Sequence, residues 1–181
     1  MTEPLSKTMN KFMVRNYLKY YFLEDYLFGE VRRNFQKRKF LLPDEFFCVV
    51  IWKSNRAKTS IKKKLLKFGD LKSTIKTMTG QIYTANGSRE KLKILLKDWK
   101  FNLPMATAIL TVLYPDEFTI KDTRVLSQLK MEDFNGLKKY FEEFLPNVKK
   151  SSAQKNLRDK DRELWSKSFH EDLIQFLNKE A

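Results

Sequence analysis

The stretch FNLPMATAILTVLYPDEFTIKDTRV runs from Phe101 to Val125. It reads as an apolar helix opened by Pro104, a Pro-Asp-Glu loop, and then Asp122 directly before Thr123-Arg124-Val125. An Asp at that point has an ordinary task, accepting the first free N–H groups of the next helix as its N-cap. If it faces a cleft it has a second one. A fixed carboxylate stabilises developing positive charge, and it orients or deprotonates water.

A second set lies in IWKSNRAK, Ile51 to Lys58. Trp52 offers a stacking plane, Asn55 an amide for a base edge, and Arg56 a bidentate donor. Lys53 and Lys58 beside them suit phosphates. The ordinary alternative is the polar end of a buried helix. A third set, Arg158, Asp161 and Trp165 in LRDKDRELW, could line a cleft. The preferred reading there is a helix start with acids in its first turn and Trp165 in the core.

Other chemistries lack their residues. His170 and Cys48 are the only histidine and cysteine, so a Cys/His zinc site and an intrachain disulfide are excluded, and no metal is expected. Neither GxGxxG nor GxxxxGK[ST] occurs, so no nucleotide cofactor is expected. The charge, by contrast, is informative. Thirty-six Lys and Arg against 22 Asp and Glu leave +14, which favours a polyanionic partner. The cations cluster without acids between them: Arg32 to Lys39, and Lys53 through Lys58, Lys62, Lys63 and Lys64 to Lys67. A nucleic acid is the expected partner, and Lys100, Asn102 and Arg124 near Asp122 are further candidate contacts.

The elements that must position these residues read as helices. Five Gly and five Pro are too few for a turn-rich β protein. Residues 9–38 show apolar positions at helical spacing with a bend near Gly29, and Tyr17, Tyr20, Tyr21 and Tyr26 read as core. Pro43-Asp44-Glu45 starts a helix that buries 46–52. Further helices fall at 58–68, 70–84, 88–99, 103–114, 122–130, 135–145 and 159–179, with Ser88 as an N-cap and 147–158 as a basic loop. Pro115 and Pro146 read as following helix ends. The expectation is one all-α domain over 1–181, about nine helices in a compact bundle, with two lobes around a cleft. No apolar run approaches the roughly 18 residues that span a bilayer. The first residues lack a secretory pattern and the single Cys48 fits a reducing cytoplasm; a cytoplasmic location and a monomer are expected.

Residues Phe101 to Leu129 resemble the helix-hairpin-helix DNA glycosylases, the superfamily of endonuclease III and alkyladenine DNA glycosylase. There a hairpin of the form L-P-G-x-G precedes a helix, a short loop and a V-D-T-type motif. Here Leu103-Pro104-Met105-Ala106-Thr107-Ala108 opens the second hairpin helix, and Ile120-Lys121-Asp122-Thr123-Arg124-Val125 matches the Asp motif, within 88–130. Trp99-Lys100-Phe101-Asn102 fills the hairpin turn without glycine, and Met105 stands where bifunctional members carry a Schiff-base lysine. The resemblance implies a base-flipping DNA N-glycosylase with Asp122 as its catalytic carboxylate, a damaged or modified base as substrate, and no lyase activity. The alternatives are a non-catalytic DNA-binding protein on the same fold, and an RNA-binding or assembly factor.

Duplex binding should weaken steeply as salt rises, because each neutralised phosphate releases counterions. Replacing Lys62, Lys63 and Lys64 together with Ser should lower the log–log salt slope by about one for each phosphate the variant no longer neutralises. Titrations by fluorescence anisotropy across salt concentrations measure it.

Overall fold

In a computed structural model of the chain, residues 17–179 are described, and the expected start of the first helix at residues 9–16 lies outside them. No strand occurs among the described residues. The first helical body begins as α1 (Leu18–Tyr21), kinks at Phe22, and resumes as α2 (Leu23–Tyr26). It passes through a π-turn (Leu27–Val31) into α3 (Arg32–Arg38). The bend expected near Gly29 is this π-turn, whose inserted residue shifts the i→i−4 ladder.

The buried helix α4 (Pro43–Ser54) starts as its sequence dictates. Pro43 sits in the first turn, and the Glu45 carboxylate reaches back to accept the Leu42 N–H at 2.9 Å. A 3₁₀ turn (Asn55–Ala57) leads into the basic α5 (Lys58–Leu65). Then come α6 (Leu71–Thr84) and α7 (Ser88–Lys93), the latter extended by a π-turn (Ile94–Asp98). The N-cap of α7 is Gly87, not Ser88. Gly87 holds φ +83, a value only glycine adopts at little cost, and the Ser88 hydroxyl instead donates to Glu117 at 2.6 Å.

The turn from α7 into α8 (Leu103–Leu113) closes without glycine. Lys100 takes the left-handed conformation at φ +53, while Phe101 N–H donates to Leu95 O at 2.9 Å. Asn102 caps α8 by accepting the Met105 N–H at 3.0 Å. Every residue of Met105–Leu113 is buried, and α8 packs against α3, α4 and α7. Ala106 and Ala108 leave room for that approach.

Beyond α8 the chain makes a turn after Pro115 and a short extended run to Asp122, then α9 (Thr123–Gln128). Next are α10 (Leu137–Lys139), a π-turn (Tyr140–Phe144) and α11 (Leu145–Lys150), followed by the long α12 (Leu157–Asn178). Pro146 therefore lies inside a helix start rather than after a helix end, and 147–150 is helical rather than loop. With the broken segments joined across their π-turns and the Phe22 kink, the described residues form nine helical bodies. Tyr26 is core, but Tyr17, Tyr20 and Tyr21 are exposed.

The run Phe118–Lys121, which leads into Asp122, is buried but has no strand partner, so its backbone needs other partners. Side-chain hydroxyls supply them. Tyr140 Oη accepts the Thr119 N–H at 3.1 Å and donates to Thr119 O at 2.7 Å. Thr107 Oγ1 accepts the Lys121 N–H at 3.0 Å while donating to Leu103 O at 2.8 Å. Tyr140→Phe leaves two buried backbone groups unpaired, and each costs about 1–3 kcal/mol. Its urea midpoint should fall well below that of wild type, by more than for a surface tyrosine such as Tyr21→Phe.

Candidate functional site

Asp122 ends the pinned run in extended conformation, at φ −123 and ψ 144, and caps α9. Its Oδ1 accepts the Arg124 N–H at 3.1 Å. Its Oδ2 accepts from Lys53 Nζ, on α4, at 2.5 Å. Both side chains retain some exposure, 17% for Lys53 and 20% for Asp122, and they meet on the wall of a cavity of about 540 Å³. Trp52 from α4 and Ile120 from the pinned run add apolar wall, and Glu24 comes from α2.

Helix α12 supplies Arg158, Asp161, Arg162, Trp165 and Ser166 to the lining. Arg158 donates to Asp161 Oδ2 at 2.5 Å and to Glu24 Oε1 at 2.5 Å. Its guanidinium lies 4.9 Å from the Phe28 ring and 5.4 Å from the Trp52 ring. Arg162 bonds the same Glu24 oxygen at 2.9 Å, so α2 and α12 are joined by charge. The preferred sequence reading of LRDKDRELW is thus corrected. Asn156 caps α12 and Asp159 stands in the first turn, but Trp165 is 42% exposed on the cavity rather than core. The signal was present in the i, i+3, i+4 and i+7 spacing of Arg158, Asp161, Arg162 and Trp165, which puts all four on one helical face.

The electrostatics set the carboxylates apart. At Asp122, burial alone would raise the pKa, but the Lys53 hydrogen bond and charge and the Arg124 N–H outweigh it, holding the carboxyl below its ordinary 3.8. Glu24 is also lowered: burial opposes ionisation, and its bonds from Arg158 and Arg162 win. Asp161 goes the other way, pushed up by deep burial against the pull of Arg158. Of the three lining carboxylates, Asp122 and Glu24 are therefore the two kept charged.

The remaining expected residues sit as follows. Trp52 and Lys53 share the cavity with Asp122, whereas Asn55 and Arg56 are not part of its lining; both are exposed in the following 3₁₀ turn. The reason is helical phase: past Ser54 the chain leaves α4 and turns away. Asn55 Oδ1 accepts from Lys58 Nζ at 2.6 Å. Lys62 and Lys63 are exposed on α5. Lys64 is half-buried, bonded to Lys100 O at 2.5 Å, and burial lowers its pKa. Arg124 is clasped on α12, paired with Asp172 at 2.5 Å and lying 5.3 Å from the Trp165 ring. Asn102 spends its side-chain oxygen on the α8 cap. Met105 is buried. Lys121 points away from the cavity into an ion pair with Asp133. Of the ten lining residues, Trp52, Lys53 and Asp122 were in the candidate site and the other seven were not.

No group of His, Cys, Asp and Glu suited to a metal ion occurs among the described residues. No described helix is long and apolar enough to cross a membrane. No protein-family model, curated protein or solved structure matches the chain.

The Lys53–Asp122 pair makes a pH prediction. The folded-state pKa of Asp122 lies below its unfolded value, so its ionisation contributes stability that is fully present above the unfolded value. That contribution is lost as pH falls through the folded value. Asp122→Asn lacks it and strands the Lys53 ammonium, so the variant should unfold at lower urea than wild type at neutral pH. The gap between the two midpoints should close below about pH 4.

Proposed function

We propose that the protein is a DNA N-glycosylase that flips a damaged or modified base out of the duplex and hydrolyses its glycosidic bond with Asp122. The observation that carries this reading is the ionised Asp122 carboxylate on the wall of a cavity bounded by Trp52 and Trp165. A base extruded from the stack needs aromatic or apolar walls and polar edge contacts, and this cavity offers both. As the C1′–N bond breaks, its electron pair leaves with the base and positive charge builds on the deoxyribose. The carboxylate opposes that charge without having to reorganise, and it accepts a proton from the water that adds at C1′. The products are a free base and an abasic sugar.

The net charge of +14 and the exposed Lys62 and Lys63 support phosphate contact along α5. The hairpin turn supports it less directly, because Asn102 and Lys64 are already engaged there.

Duplexes carrying damaged bases or bulky modified bases, incubated with wild type, should yield free base detectable by mass spectrometry. Asp122→Asn should lower that release by on the order of a hundredfold or more, with duplex affinity kept or raised, since the removed charge repels phosphate. Duplex binding without base release by either protein would favour a non-catalytic DNA-binding role on this fold.

A further inference from the structure

We propose that the outer half of α12 is an interface at which two copies of this chain pair antiparallel, in place of the monomer expected from the sequence. The inference is independent of the reading of Asp122.

Helix α12 is anchored along its first part. Its buried residues are Leu157, Asp161, Leu164 and Ser168, and it packs against α9 and α11. From Phe169 to Lys179 every residue is exposed. Polar groups of α9 reach this part, Arg124 pairing with Asp172 at 2.5 Å and Gln128 with Glu171 at 2.5 Å. Helical turns without an apolar face packed on a neighbour are marginal in water. These turns nevertheless carry a continuous apolar stripe. Trp165, Phe169, Leu173 and Phe176 recur at spacings of four, four and three, with Leu177 beside them. All five are between 42 and 73% exposed. Together they leave on the order of 500 Å² of apolar surface open, high for a monomer. With Ser166, His170 and Ile174 at its margins, the stripe approaches the ~800 Å² that each partner gives to a standard interface.

Charge decides what covers it. Between Phe169 and Asn178 the charged side chains are Glu171 and Asp172, in a chain whose net charge is +14. A nucleic acid or an anionic membrane would meet carboxylates there instead of the cations its phosphates need. A second α12 meets no such penalty. Glu171 projects from the side of the helix opposite the stripe, and Asp172 is already paired with Arg124.

The stripe is also complementary to itself in one direction. An antiparallel pair related by a two-fold axis sets Phe169 against Leu173 of the second copy, and Phe176 against Ser166. Each ring then meets a smaller side chain. A parallel pair would set Phe169 on Phe169 and Phe176 on Phe176, and would bring the anchored halves side by side. Trp165 and Ser166 line the cavity as well. The tip of each helix therefore lies at the mouth of the other copy's cavity, where Phe176 becomes part of the rim.

The test uses the full chain without nucleic acid. Sedimentation velocity from low to high micromolar concentration should show a species of twice the chain mass gaining at the monomer's expense. Phe169→Glu and Leu173→Lys replace exposed residues, so each should keep the far-UV helix signal while losing most of the dimer. Mixing the two variants should restore it, because antiparallel pairing joins the new carboxylate to the new ammonium. Leu66→Glu, at an exposed leucine outside α12, should dimerise like wild type. Small-angle scattering of wild type needs no variant and should show an elongated two-body particle. A wild type that stays monomeric throughout overturns the proposal, also if it binds anionic vesicles through α12. Dimers unaffected by either substitution overturn it too, as does a mixture that fails to recover.

Discussion

The candidate site depends on how four buried residues, Phe118 to Lys121, satisfy their backbone. An extended run inside an all-helical body has no ladder to join, and each unpaired peptide group there costs more than most side-chain contacts return. Two hydroxyls solve this. Tyr140 both donates to and accepts from Thr119, and Thr107 accepts from Lys121. Tyr140 comes from a π-turn and Thr107 from α8, so the run is fixed to two elements at once. Asp122 is the next residue. Its direction is set by that double attachment and by its own cap on α9.

The second constraint is charge balance around the cavity. Lys53, Arg158 and Arg162 face Asp122, Asp161 and Glu24, and each cation is hydrogen-bonded to a carboxylate oxygen. Partly buried charges require such pairing, and removing one partner strands the other. The network also carries the architecture. Glu24 bonds two arginines of α12 across a long sequence separation, and Arg124 on α9 is held by Asp172 and the Trp165 face. Site and scaffold therefore share the same ion pairs. The cavity's walls are held by groups that would also meet a substrate.

Nearness along the chain and nearness in space separate at this site: the Lys53 amine, on α4, reaches the Asp122 carboxylate from 69 residues away.

Much of the fold was legible in the chain. Few glycines and prolines, apolar residues at three- and four-residue spacing, and start signals such as Pro43-Asp44-Glu45 are local, and local hydrogen bonding within a helix makes local signals sufficient. Asp122 as N-cap was legible for the same reason. The site was legible in part. Asp122 was chosen on the motif around it and Trp52, Asn55 and Arg56 on residue type; Trp52 and Asp122 do share a cavity, but Asn55 and Arg56 fall outside its lining. Arg158, Asp161 and Trp165 were read as an ordinary helix start. Their sequence does encode a common face; which element that face meets is not encoded in any window of residues. The helical character and the cap came from interactions within a few residues along the chain. The Lys53–Asp122 pair, the Glu24 bridge and the wall on α12 join residues tens to more than a hundred positions apart. Such contacts exist only after α4, α8 and α12 have packed, so tertiary structure alone decided them.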